Sequence, residues 1–387
     1  MKLSRTVNPV IGPPPTLGFA KRSMGVGRMV KQEHAGGRDV APIGAGLQVP
    51  QALPVGLHLL LLGWLLLIQP VGAFQERQVT VGSGEWALPG TLMLPDGAGP
   101  FPVVVLVHGS GAHDRDETIG PNKPFRDLAW GLASQQVATL RYEKRTKAYA
   151  KKIASILTTF TANDETVDDA VAAVAFLRRV PEIQATQIYV LGHSFGGMMI
   201  PRIGRQDPHI AGFIIFAGNT RALDQMLLEQ MSYLFSLDGT LTPAEQAQLD
   251  QANKEVAKIR DPNLSLNTPP PILGAGARYW LDLRDYHPQE EAKALAQPLL
   301  IVQGGRDYQV TLEDFHQWQS ALSARHDVTF KLYPSLNHLF MEGEGKSTPA
   351  EYAVAGHMAP SVIRDIANWV KRRAQHPEQA HAASSAP

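Results

Sequence analysis

Hydrophobic and polar positions change period several times along this chain, and each change marks an element. Val103–Val107 (VVVLV) is an unbroken β-branched run, the pattern of a strand buried on both faces of a parallel sheet. Val137–Arg141, Ile188–Leu191, Ile210–Ala217, Pro298–Val302 and Val328–Tyr333 give the same kind of signal. Arg77–Val81 and Trp86–Met93 alternate instead, which predicts two antiparallel strands joined through Gly82-Ser83-Gly84. Between the buried runs the period becomes helical. Phe125, Leu128, Ala129, Leu132 and Ala133 share one face of a helix begun after Pro124. A second helix spans Thr161–Arg179, with Thr161 or Asn163 to cap it, Asp164 and Glu165 in its first turn, and Arg178 and Arg179 in its last. Charge at both ends then complements the helix dipole, and Pro181 stops the helix. Val362, Ile363, Ile366, Trp369 and Val370 predict a closing helix.

Strands alternating with helices imply right-handed βαβ units: an α/β domain with a mostly parallel sheet and helices on both faces. The rhythm breaks once, between Thr220 and Gln297. That stretch reads as helices Arg221–Leu237 and Thr242–Ile259 with a hinge at Pro269-Pro270-Pro271, a helical cap inserted at about 220–296. From Ala374 the residues are polar and small, and a disordered tail is expected over 374–387.

The first 73 residues read differently from the domain that follows (74–373). Residues 1–56 carry seven Lys/Arg against two acidic residues, with no apolar period, as disordered segments do. Leu59–Ile68 (LLLLGWLLLI) is uncharged, and Val71-Gly72-Ala73 places small residues for cleavage after Ala73. This predicts a secretory signal peptide and a periplasmic or secreted product. The run is shorter than the roughly 20 apolar residues of a membrane span, so no stable span is expected after cleavage; a retained anchor is the alternative. So long a leader also suggests translation starting downstream of Met1, at Met24, Met29 or near Val55.

Composition narrows the chemistry. The 387 residues hold 36 Lys+Arg and 36 Asp+Glu, a balance that argues against a nucleic-acid partner. With no cysteine, disulfides, thiolate metal sites and a cysteine nucleophile are excluded. No His-Glu-x-x-His or convincing metal cluster occurs, and no cofactor is expected. Gly109-Ser110-Gly111 imitates a dinucleotide fingerprint, but its third glycine position is Asp114; Gly345-Lys346-Ser347 imitates a phosphate loop without the strand that should precede it.

Gly192-His193-Ser194-Phe195-Gly196 follows the strand Ile188–Leu191 and opens a helix-like segment, Gly197–Gly204, in which Pro201 can introduce a kink. G-x-S-x-G between strand and helix holds its serine on a turn so sharp that a Cβ on either side would meet backbone. Ser194 is therefore the expected nucleophile, above the strand ends where α/β sheets bind ligands. A serine needs a base. His338, in Leu336-Asn337-His338-Leu339-Phe340, follows the last strand and so reaches the same edge. Asp307, in Gly304-Gly305-Arg306-Asp307, follows the strand before it and can orient the imidazole. Glu313 and Asp314 are rivals, assigned instead to the first turn of a helix over Thr311–Leu322. The oxyanion requires backbone N–H donors. Phe195 is expected to supply one, and Ser110, or alternatively Gly111, the other. Met226, Tyr233 and Trp280 are cap residues that could line an acyl pocket.

The stretches HGSGAHDRDE (108–117), LRYEKRT (140–146), GHSFGG (192–197), QGGRDYQVT (303–311) and LNHLF (336–340) resemble the α/β-hydrolase superfamily. More closely, they are similar to bacterial serine esterases related to dienelactone hydrolases and to prolyl-oligopeptidase-type catalytic domains. The resemblance spans roughly Gln78 to Lys371. It implies an α/β-hydrolase fold and a metal-independent carboxylic-ester hydrolase acting on small-molecule esters through Ser194, Asp307 and His338. The order Ser…Asp…His agrees with it. Ser194 departs from relatives that use Cys or Asp as nucleophile. Asp114-Arg115-Asp116-Glu117 is expected to be an ion-paired scaffold for the oxyanion loop, with Arg145 as a partner. A peptidase or amide hydrolase on the same triad, and a non-catalytic binding module, remain the alternatives.

Overall fold

The computed structural model describes residues 74–375. The expected leader with its export signal, and all but the start of the expected tail, lie outside the described residues. Eight strands form one sheet in the order β1-β2-β4-β3-β5-β6-β7-β8. They are β1 (Gln75–Val81), β2 (Leu88–Leu94), β3 (Phe101–Val107), β4 (Ala138–Tyr142), β5 (Ile183–His193), β6 (Gly212–Phe216), β7 (Leu299–Gly304) and β8 (Val328–Tyr333). β1 and β2 pair antiparallel, as does β2 with β4. From β4 to β8 every pairing is parallel. Each expected strand is present, with small shifts. Trp86 belongs to a 3₁₀ turn, Gly84–Trp86, that reverses the chain between β1 and β2.

The apolar run of β3 is continuous because both its faces are covered. Val103, Val105 and Val107 pack with Ala170, Ala173, Val174 and Leu177 of the helix Asp168–Leu177. Val104 and Leu106 pack on the other face with Phe125, Leu128 and Leu132, and with Val362, Ile366, Trp369 and Val370. The helix expected over Thr161–Arg179 opens with a π turn, Asn163–Val167, and Thr161 and Asp164 bond reciprocally at its start. The closing helix runs Pro360–Gln375, so Ala374 and Gln375 are helical rather than part of the expected tail.

Between β6 and β7 lies the helical insertion, with Leu223–Phe235, Pro243–Arg260, Ala277–Leu283 and Pro288–Glu291 as its α-helices. Its inner part belongs to the main core. Tyr279, Trp280, Leu283 and Tyr286 are buried there, and the Trp280 indole N–H donates to the Ile272 carbonyl at 2.6 Å. Among the described residues no helix is long and apolar enough to cross a membrane.

Candidate active site

Ser194 sits directly after β5 with φ 52° and ψ −119°, a region that side chains normally avoid. Two glycines make the turn buildable. A Cβ on Gly192 would lie 2.2 Å from the Gly196 carbonyl oxygen, and one on Gly196 would lie 2.5 Å from that of Val107. The Ser194 N–H donates to the Phe216 carbonyl at 2.9 Å, tying the turn to β6. Ser194 is half-buried, so its hydroxyl can be reached. Phe195 opens the helix Phe195–Met198, and its N–H has no carbonyl within that helix to receive it. The helix ends at Met198, capped by Met199, and a second begins at Ile200, so the break falls just ahead of Pro201, whose ring cannot continue the first.

Asp307 and His338 meet at the same sheet edge, on the turns leaving β7 and β8. His338 Nδ1 lies 2.5 Å from Asp307 Oδ2, and both residues are buried. Asp307 Oδ1 also accepts the N–H groups of Gln309 at 2.7 Å and Val310 at 3.1 Å, so the carboxylate cannot swing. Because a carboxylate only accepts, Nδ1 carries the proton and neutral His338 keeps Nε2 as its basic nitrogen. The turns pack closely: a Cβ on Gly304 would stand 2.6 Å from the Leu336 carbonyl oxygen. Asn337 holds the loop by accepting the N–H groups of Leu339 and Met341 at 3.0 and 3.1 Å.

His193 joins this pair to the Ser194 turn. Its ring packs on that of His338 with centroids 4.5 Å apart, and its Nε2 donates to the His338 carbonyl at 3.1 Å. Its Nδ1 lies 2.8 Å from Glu117 Oε2, while Glu117 Oε1 accepts the Gly109 N–H at 2.7 Å. With a carbonyl on one ring nitrogen and a carboxylate on the other, His193 is a buried imidazolium. Burial alone would lower its pKa, but the Glu117 charge and hydrogen bond raise it. Burial would raise Glu117, yet His193, His113 and His108 hold it down at about 2. His108 is brought to about 3 by burial, so it stays neutral, with its Nε2 on the Asp114 carbonyl.

The loop after β3 lies against Ser194, since a Cβ on Gly109 would be 3.1 Å from Ser194 Cβ. Ser110 is exposed on this loop and Gly111 follows it at φ 107°. The 114–117 segment is ion-paired: Arg115 with Glu143, and Asp116 with both Lys123 and Arg141. Arg145 takes no part in it. It starts a short helix beyond β4 that faces Asp168–Leu177, and it pairs with Asp169 in two hydrogen bonds, whereas Arg141, within β4, meets Asp116. Asp314 closes a capping box with Thr311 and binds Arg221, the helix-end role expected of it.

Of the three cap residues, Tyr233 belongs to a cluster with Tyr308, Leu339 and Tyr352, next in sequence or space to Asp307 and His338. Met226 and Trp280 are buried, and Trp280 also borders a cleft of about 400 Å³ between Ala222–Gln225 and Leu283–His287. Sequence reasoning missed His193, Lys144, Glu165 and the Tyr308–Leu339–Tyr352 cluster. A signal existed for Lys144. It follows a strand flanked on both sides, where a charge needs a partner.

A mostly parallel sheet that carries a strained serine turn at the end of its fifth strand, with a His–Asp pair off its last two, defines a serine hydrolase of the α/β-hydrolase fold. The chain belongs to the α/β-hydrolase family described as serine aminopeptidase S33, whose model matches residues 99–345. It is 42% identical over 300 residues to the esterase EstD of Thermotoga maritima, a match spanning 77% of this chain and 68% of that one. Similar solved structures include Est1E from Butyrivibrio proteoclasticus, at 14% identity and TM-score 0.48 over 76% of this chain and 99% of that one. Another is a dienelactone hydrolase from Anabaena variabilis, at 16% identity and TM-score 0.45 over 77% and 98%.

Proposed function

We propose that this protein is a carboxylic-ester hydrolase working through Ser194, His338 and Asp307 and an acyl-enzyme intermediate. Ser194 attacks the ester carbonyl while His338 Nε2 takes its proton. Asp307, receiving the Nδ1–H, stabilises the cation that forms. The N–H groups of Phe195 and Ser110 receive the oxyanion. His338 then returns the proton to the leaving alcohol, and water, activated in the same way, releases the acid. The observation that supports this reading is the 2.5 Å His338–Asp307 bond, together with His193, which directly precedes the φ 52° serine and donates to the His338 carbonyl. The kinship to EstD supports an ester as substrate. Tyr233, packed with Tyr308 and Leu339, is assigned to the acyl side; Met226 and Trp280 support it by packing the insertion.

The test is a panel of p-nitrophenyl esters of rising acyl length beside aminoacyl-nitroanilides, with Ser194→Ala as control. Ester turnover abolished by the substitution, and a fluorophosphonate attached at Ser194, are the expected results; turnover by the variant refutes the triad. The family description, serine aminopeptidase, favours one second reading, an amide-cleaving enzyme on the same triad. Nitroanilide turnover exceeding that of every ester would establish it. An intact protein that neither turns over nor labels would be a binding module. Export to the periplasm or beyond belongs to the same proposal, resting on the Leu59–Ile68 run and the small residues before Phe74. Sequencing the N-terminus of the mature protein checks it, and a first residue remote from Phe74 refutes it.

A further inference from the structure

Gly109 is gripped at both ends by buried charges. Its N–H donates to Glu117 Oε1 at 2.7 Å, and its carbonyl accepts from Lys144 Nζ at 2.5 Å. The same ammonium lies 2.5 Å from Glu165 Oε1, with both side chains almost wholly buried, and Tyr279 donates to Glu165 Oε2 at 2.8 Å. The next carbonyls are held from the same quarter: Ser110 by His113 Nε2 at 2.7 Å, and Gly111 by the Thr146 hydroxyl at 2.8 Å.

The Gly109–Ser110 peptide is trans. In a trans peptide the carbonyl and the following N–H point in opposite directions. A cation fixing the Gly109 carbonyl therefore fixes the Ser110 N–H pointing away from Lys144. It also polarises the peptide, which makes that N–H a stronger donor. The two pinned peptides flank the Gly109 Cα, whose missing Cβ would lie against Ser194. Lys144 Nζ also stands 5.7 Å from the centre of the Phe195 ring, the residue of the other oxyanion donor.

Resting on the triad reading above, we infer that Lys144, neutralised by Glu165, is a positioning residue that aims and polarises the Ser110 N–H of the oxyanion hole. Glu117 holds the preceding peptide so that the loop cannot rotate. Tyr279, reaching Glu165 from the helical insertion, gives that insertion a direct link to the oxyanion loop.

Lys144→Met alone leaves Glu165 buried without a cation and is liable to unfold. The test therefore pairs it with Lys144→Met/Glu165→Leu, which removes both charges, in the full chain and with folding checked by circular dichroism. The expected result for the folded double variant is kcat about a hundredfold lower with KM little changed, as for a lost oxyanion donor. Affinity for a trifluoromethyl ketone, which forms a tetrahedral oxyanion on serine, should fall by the same factor. Affinity for the carboxylate product should not. A folded double variant with wild-type kcat overturns the inference, as does a kcat loss with undiminished ketone affinity. If Ser194→Ala itself remains active, the triad reading has failed. If that variant is dead while the double variant matches wild type, only the inference has.

Discussion

The carboxyl edge of the sheet and the outer part of the helical insertion are built on opposite principles. At the sheet edge, His108, Glu117, Lys144, His193, Asp307 and His338 are all buried, and all but His108, whose partner is the nearby Asp114 carbonyl, meet a side chain from a distant part of the sequence. In the insertion, the helix Pro243–Arg260 buries only Ala252, Val256 and Ile259. Along its length its side-chain hydrogen bonds are local, Gln246 to Asp250, Gln251 to Glu255 and Lys258 to Glu255, and only its last turn reaches further, where Arg260 donates to Asp224 and the Ile259 carbonyl accepts from Arg284. Chemistry needs atoms held to a fraction of an ångström, and burial of interlocked polar groups supplies that. A surface helix needs only propensity, caps and a narrow apolar stripe. The boundary between the two regimes runs inside the insertion, because Tyr279, Trp280 and Tyr286 belong to the buried side.

The largest effects should come from the edge. Ser194→Ala should lower kcat by about 10⁶-fold, and Asp307→Asn, which favours the wrong His338 tautomer, by about 10⁴-fold. Steady-state ester hydrolysis reads both. Asp307→Asn keeping near-wild-type kcat would show that the His–Asp pair serves structure alone. The next effect sharpens the boundary. Trp280→Ala removes a core indole and leaves the Ile272 carbonyl without its donor, so denaturant unfolding should show a loss of about 3–5 kcal/mol. A loss under about 1 kcal/mol would return Trp280 to the loosely held region.

Acid should act on the edge as well. His108 refuses a proton down to about pH 3 while its unfolded counterpart takes one near 6.5, so the unfolded state gains as pH falls through that window. Glu117, held at about 2 against an ordinary 4.5, contributes stability above 4.5 that is lost as pH falls toward 2. His193 has the opposite sign. Its raised pKa contributes fully below 6.5, and that contribution fades as pH rises through the folded value. Melting temperature should therefore fall steadily below pH 6.5, and NMR should show His193 charged above that pH. A His193 ring that titrates below an ordinary histidine would dissolve the Glu117 ion pair.

The fold was legible where a single stretch carried its own evidence. VVVLV needs two covered faces and has them, and the glycines around Ser194 announced a turn that no Cβ would fit. Asp307 and His338 could be found because each follows a strand, and parallel strands deliver their ends to one edge. What stayed hidden was pairing across distance. Lys144 and Glu165 lie 21 residues apart, and Glu117 and His193 lie 76 apart. Only the order of strands in the sheet brings them together. Arg145 shows the same limit. Its charge was legible, but the choice of Asp169 over the 114–117 segment depends on which side of β4 the chain leaves. Trp280 read as a candidate for the acyl pocket because its neighbours in sequence are an insertion, while its neighbours in space are the core.

The smallest effect tests the loose side of the comparison. Thr242 caps the helix Pro243–Arg260 in a reciprocal box: its hydroxyl accepts the Glu245 N–H at 3.2 Å, and Glu245 Oε2 accepts the Thr242 N–H at 2.8 Å. Thr242→Ala removes that cap and should destabilise the helix by about 1 kcal/mol. If the outer insertion opens by itself, the loss stays local. Amide exchange in the first turns of the helix should then quicken about fivefold, while melting temperature and kcat stay at wild-type values. A fall in global stability of the same size would mean that this helix unfolds only with the sheet. The insertion would then share the cooperativity of the edge, and the contrast between them would be one of exposure alone.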